Sequence, residues 1–173
     1  PEQAHSPSTH DGSLPLHFAA SVGDVTIAST VLQFYPQAAA TPNRKGKLPL
    51  HYAAREGRLE MVRFFMNVAP HTAAIASKKD KLALHFAAGE GHVAIVQSLL
   101  SAYPRGASLP SAKGKVPLHF ASRWGHIPIA NDLLYIFPDA IRTLDWDGSL
   151  PLHEATREGQ YHMARYLAER FPP

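Results

Sequence analysis

Five copies of one short motif, set 34 residues apart, constrain this chain more than any other feature. Leu-Pro-Leu-His at 14–17 returns at 48–51 and 150–153, as Leu-Ala-Leu-His at 82–85 and as Val-Pro-Leu-His at 116–119. Gly23, Gly57, Gly91, Gly125 and Gly159 follow the histidines at a constant distance, and Pro36, Pro70, Pro104, Pro138 and Pro172 close the units. Copies in fixed register imply a linear array whose units touch only their neighbours, so 173 residues read as a single domain.

Within a unit, Lys47 to Gly57 reads as a short helix, with Pro49 pre-set for its first turn and Gly57 for its left-handed end. A second helix runs from about Leu59 to Val68, with Met61, Val62, Phe65 and Met66 spaced to bury one face, and Pro70 stops it. The segment Pro36 to Gly46, rich in Ala, Thr, Pro, Asn, Lys and Gly, reads as an extended finger ending in a tight turn. The unit is finger, helix, turn, helix.

These residues resemble the ankyrin repeat family, whose signature is Gly-x-Thr-Pro-Leu-His-x-Ala-Ala-x-x-Gly-His. Gly46, Pro49, Leu50, His51, Ala53, Ala54 and Gly57 sit where it wants them, and Gly91-His92 and Gly125-His126 keep its closing pair. The resemblance covers nearly the whole chain and implies an all-α solenoid of five helix-turn-helix units with finger-like hairpin loops. The expected repeats are 1–35, 36–69, 70–103, 104–137 and 138–173. The tetratricopeptide repeat shares the period but has longer, uninterrupted helices, whereas here a glycine falls soon after each motif.

The chain departs from the signature in three ways. The family threonine is Leu14, Leu48, Leu82, Val116 and Leu150, which removes a hydroxyl cap worth about 1 kcal/mol per unit and leaves packing to make up the difference. The Gly-Ala pair expected after the second helix is replaced by an aromatic or alanine and a proline, as in Tyr35-Pro36 and Ala69-Pro70, which lengthens the period by one residue. The third unit is the least regular, with Asp80 in place of the finger glycine, Ala83 in place of proline and Gly89 inside a helix, so local opening is expected to begin there.

Composition narrows the function. The chain is 45% apolar, has no run long enough to span a membrane, and carries a net charge of +3. It has no cysteine, which excludes disulfides and thiolate chemistry and fits an intracellular, cytoplasmic setting. It opens on Pro1, which reads as a segment of something longer. Eleven histidines invite a metal, but His17, His51, His85, His119 and His153 come one per unit, about 8 to 10 Å apart, too far to share a zinc. They read as structural, each bonded to the next unit's backbone, and His92 and His126 as turn residues. His153-Glu154 begins like a zinc-protease helix, but Arg157 stands where the second ligand belongs. Gly46-Lys47 and Gly114-Lys115 lack the Ser or Thr and upstream glycine of a phosphate loop. No nucleophile stands beside a base, so neither an enzyme nor a cofactor is expected.

Selectivity then falls to positions that escape the repeat. The residue after the motif histidine and those three and four further on share one helix face, placed on the concave side by the resemblance. Phe18, Tyr52, Phe86 and Phe120 take the first of these positions, joined by Arg55, Arg123 and Trp124 at the others. Phe18, Tyr52 and Phe86 have two open readings, as contact anchors or as packing under the neighbouring finger. Trp124 is read as a contact residue, because Val or Glu holds its place elsewhere. The central finger tips carry Arg44, Lys45, Lys47, Lys78, Lys79, Lys81, Lys113 and Lys115, eight of the seventeen cations, bracketed by Asp11, Asp145 and Asp147. The expected function is a monomeric protein-interaction module that takes an acidic, partly apolar partner segment on its concave face. The alternatives are phosphates of nucleic acid or a membrane surface at the finger tips, and a spacer or regulatory arm. The polar second helix of the fifth unit reads as a terminal cap, with Phe171 at its end.

Overall fold

The computed structural model describes residues 11–170, which form ten helices and no strand. Phe171 lies outside the described residues. The first helices of the pairs, here termed inner, are α1 (Pro15–Val22), α3 (Pro49–Arg55), α5 (Ala83–Glu90), α7 (Pro117–Trp124) and α9 (Pro151–Arg157). The outer ones are α2 (Val25–Phe34), α4 (Leu59–Val68), α6 (Val93–Ala102), α8 (Ile127–Ile136) and α10 (Tyr161–Arg170). Successive inner helices meet more closely than successive outer ones, so the array curves with the inner helices on its concave side.

Small residues make that closeness possible. Ala19, Ala20, Ala53, Ala54, Ala87, Ala88, Ala121 and Ala155 of the inner helices are buried, as are Leu16, Leu50, Leu84 and Leu118. In α4, Met61, Val62 and Phe65 are fully buried and Met66 only partly. Truncating one such leucine costs about 2 to 5 kcal/mol, the lost burial adding to the cavity left behind.

The missing threonine cap is replaced by the motif histidine rather than by packing alone. The leucine side chain has no acceptor, so the His17 amide donates to the Leu14 backbone carbonyl at 2.9 Å, while the Leu14 amide donates to His17 Nδ1 at 3.0 Å. The same bond to Nδ1 recurs at Leu48, Leu82 and Leu150, at 2.9, 3.0 and 2.8 Å. An accepting Nδ1 places the ring proton on Nε2, which donates onward: from His17 to the Lys47 carbonyl, from His51 to Lys81 and from His85 to Leu109, at 2.9 to 3.1 Å, and His119 Nε2 likewise donates to the Ser149 carbonyl at 3.1 Å. His17, His51 and His85 therefore each cap their own helix and tie down the following finger, whereas His119 makes only the second of these bonds, its buried Nδ1 finding no partner among the described residues. His92 and His126 add a second clamp, donating to the Arg55 and Gly89 carbonyls of the preceding unit at 3.0 and 3.1 Å.

The fingers are not extended from their start, as the sequence reading expected. Each opens with a 3-10 turn, Pro36–Ala40, Pro70–Ala74, Pro104–Ser108 and Pro138–Arg142, because proline at the first position suits a helical turn as well as it ends the helix before it. Extended backbone follows and closes in a tight turn. Its left-handed residue is Gly46 (φ 70°), Gly114 (φ 76°) or Gly148 (φ 72°), and in the third unit Asp80 (φ 51°), which tolerates that region at a cost of about 1 kcal/mol. Tips are joined in a row by one backbone hydrogen bond per step, the amide of Arg44 donating to the Asp11 carbonyl, Lys78 to Lys45, Ala112 to Lys79 and Trp146 to Lys113, at 2.9 to 3.1 Å.

Candidate functional site

The finger turns sort the basic residues into two groups. Arg44, Lys45, Lys78, Lys79 and Lys113 precede the left-handed residue and stand exposed at the tips. Lys47, Lys81 and Lys115 follow it and turn back over the inner helices, half-buried. Lys47 Nζ lies 4.7 Å from the Phe86 ring centre and 5.5 Å from that of Tyr52. Lys81 Nζ lies 4.3 Å from Phe120 and 5.5 Å from Phe86. Ammonium and ring thus alternate along the concave face, each pair within the distance at which the ring quadrupole attracts a cation. The rings are held in turn by the histidines: Tyr52, Phe86 and Phe120 meet His17, His51 and His85 edge-on at 5.7, 5.7 and 5.5 Å. Tyr52 is also fixed by its hydroxyl, which accepts from Asn43 Nδ2 at 2.9 Å and donates to Asp11 Oδ2 at 3.3 Å.

Lys115, expected among the free tip cations, is instead matched within the chain. Its Nζ sits 2.8 Å from Glu154 Oε1 and 3.5 Å from Asp145 Oδ2, and its side chain is 15% exposed. Glu154 occupies the inner-helix place that Tyr52, Phe86 and Phe120 hold in earlier units, is buried, and also takes Arg157 at 2.7 Å. Asp145 is likewise no exposed acidic bracket. It is buried and accepts the Asp147 and Ser149 amides at 3.0 and 2.8 Å, and burial, which pushes its carboxyl up, is outweighed by those amides and Lys115, which hold it below its ordinary value.

Arg55 and Arg123 reach along the array to the next unit. Arg55 lies 3.9 Å from both Glu56 and Glu90, and Arg123 pairs with Glu158 at 2.8 Å while its guanidinium stands 5.5 Å from the Trp124 ring centre. Trp124 is 53% exposed and Phe18 55%. Two neighbouring grooves open between fingers and inner helices. One, of about 490 Å³, lies over Phe86 among Arg44, Lys45, Lys47, Lys78, Lys79 and Lys81. The other, of about 550 Å³, lies over Phe120 among Lys79, Lys81, Lys113, Lys115 and Arg123. Among the described residues, no carboxylate lines either. Tyr52, Arg55 and Trp124 flank these grooves without lining them.

Crowding shows in the lysines. Burial, and then the cations around each, lower the Lys47 and Lys81 ammonium groups below their ordinary value: Arg55, Lys45 and Lys79 act on Lys47, and Lys47, Lys79, Lys113 and Lys115 on Lys81. An anion placed among them would relieve that repulsion.

Two features were missed in the sequence. Trp146 is 71% exposed at the fifth tip, where other units have Arg44, Lys78 and Ala112, and it lies against Gly114 of the fourth. Its place at a variable position was the available signal. Glu154 is read in the sequence only through the zinc-protease-like His153-Glu154 pair, and not as the counter-charge of a lysine 39 residues earlier.

The comparisons with known proteins agree with this architecture. A sequence model described as Ankyrin repeats (3 copies) matches residues 2–75, 67–142 and 84–172. No curated protein matches the chain.

Proposed function

The chain belongs to the ankyrin-repeat family, and we propose that its concave face binds an acidic, partly apolar segment of a partner protein. Repeats of this family mediate protein–protein interaction, typically without catalysis, and no helix among the described residues is long and apolar enough to cross a membrane. The observation that carries the reading is the pair of grooves over Phe86 and Phe120, walled by cations and, among the described residues, free of carboxylates. Lysines there supply encounter rate, and rings supply apolar contact once water is expelled.

The test is fluorescence anisotropy with a labelled peptide of alternating glutamate and leucine. Binding should weaken steeply between low and physiological salt, since exposed charges are screened within about 8 Å. Reversing Lys45, Lys79 and Lys113 to glutamate should abolish it, and Trp124→Ala should mainly speed release. Unchanged binding after the triple reversal sinks the reading. Tight binding of single-stranded DNA or anionic vesicles, with none of peptide, would transfer the tips to phosphate recognition. The arrangement of the rings gives less support to that alternative, because ammonium groups already lie against the rings on which a base would stack.

A further inference from the structure

The concave row has a fixed repeat, and its ligand should share it. Lys47 and Lys81 hold equivalent places in successive units, each seated on the ring of the next unit, at 4.7 and 4.3 Å. Stacked inner helices set equivalent atoms about 8 to 10 Å apart. In a β-strand, residues on one face recur every two positions, about 6.6 to 6.8 Å apart or twice that, and miss this interval. A polyproline-II segment returns to the same edge every third residue, about 9.3 Å on, and meets it.

The chain itself shows what an anion does in this row. In the fifth unit Glu154 stands at the ring position and its carboxylate takes Lys115 at 2.8 Å. Lys47 and Lys81 have rings on the corresponding sides instead, so their hydrogen-bonding capacity faces the grooves.

We propose that the partner segment is a polyproline-II stretch with a carboxylate on every third residue, two successive carboxylates pairing with Lys47 and Lys81 and the intervening proline or apolar side chain resting on Phe86. This rests on the reading of the concave face as the site for an acidic segment, and it adds the conformation and spacing of the ligand. Lys115 does not extend the row, because Glu154 and Asp145 already hold it. The matching stretch is short, ending where the chain's own carboxylate begins.

The experiment titrates the chain with labelled peptides of about twelve residues and equal composition, proline and alanine with three glutamates. These glutamates lie on every third residue, on every second residue, or side by side. The first peptide should bind about tenfold tighter than the others, the size of one well-placed charged pair. Lys81→Met, which keeps the apolar stem over Phe120, should erase that advantage, whereas Lys45→Glu should weaken all three alike; thermal melting followed by circular dichroism checks that both variants fold. Equal binding of the three peptides, with salt dependence, overturns the spacing and leaves the concave-face reading intact. Binding of none overturns both, as does a single-stranded oligonucleotide of similar length that binds tighter than every peptide.

Discussion

The central fingers and the last inner helix treat the same lysine in opposite ways. Lys47 and Lys81 turn inward onto Phe86 and Phe120 and keep their charge available, whereas Lys115, at the equivalent place, meets Glu154 and is closed off. The backbone that presents them is the same; what differs is the next unit, where Glu154 stands in place of the ring and Asp145 in place of Ser77 and Ser111. Two side chains of the next unit therefore decide whether a step of the array is open to an anion or satisfied from within. The difference reaches the buried histidines as well. Burial lowers all of them, but Lys47 and Lys81 push His51 and His85 lower still, to about 4 and about 3, whereas Asp145 and Glu154 pull His119 back up.

Acid should produce the largest effect and break the two regions apart. The unfolded state takes up a proton on each histidine near pH 6.5, which folded His51 and His85 refuse until about 4 and about 3. Stability is therefore full above the unfolded value and falls as the pH drops, by on the order of 2 kcal/mol for each of the two by pH 5. Urea unfolding at pH 7 and pH 5 measures the loss. Hydrogen exchange should show the second and third units opening before the fourth, and the reverse order would refute the electrostatic difference. Next in size, Glu154→Gln leaves Lys115 with Asp145 alone and should cost about 3 kcal/mol, seen as a lower urea midpoint. Phe120→Glu carries the closure into the centre: a carboxylate beside Lys81 should weaken acidic-peptide binding about tenfold while the chain stays folded. The smallest effect sharpens the comparison within the centre. A methyl added at Gly89 would stand 3.6 Å from Phe120 Cβ, an ordinary contact, so Gly89→Ala should raise stability by about 1 kcal/mol and reduce opening of the third unit.

What was legible in the sequence was whatever repeats. Five motif copies carry the helix pairs, and Met61, Val62 and Phe65 at helical spacing carry the buried face. Asp80 was visible as an irregularity, and the structure gives it a physical content, a positive φ outside glycine. Less visible was anything joining distant positions. The histidine's double duty needed both ring nitrogens placed, one on a neighbouring amide and the other on a carbonyl 30 residues away. The 3-10 turn at Pro36 was hidden because proline reads first as a stop. Lys115 looked like its seven companions, since its partner lies in the next unit.

The row of finger tips carries one more consequence. Between each tip and the next runs one backbone hydrogen bond, from Arg44 through to Trp146. A force drawing the two ends of the array apart would load these links in series, along with the histidine latches behind them. Units would then detach singly, and a force–extension trace would show evenly spaced teeth rather than one rupture.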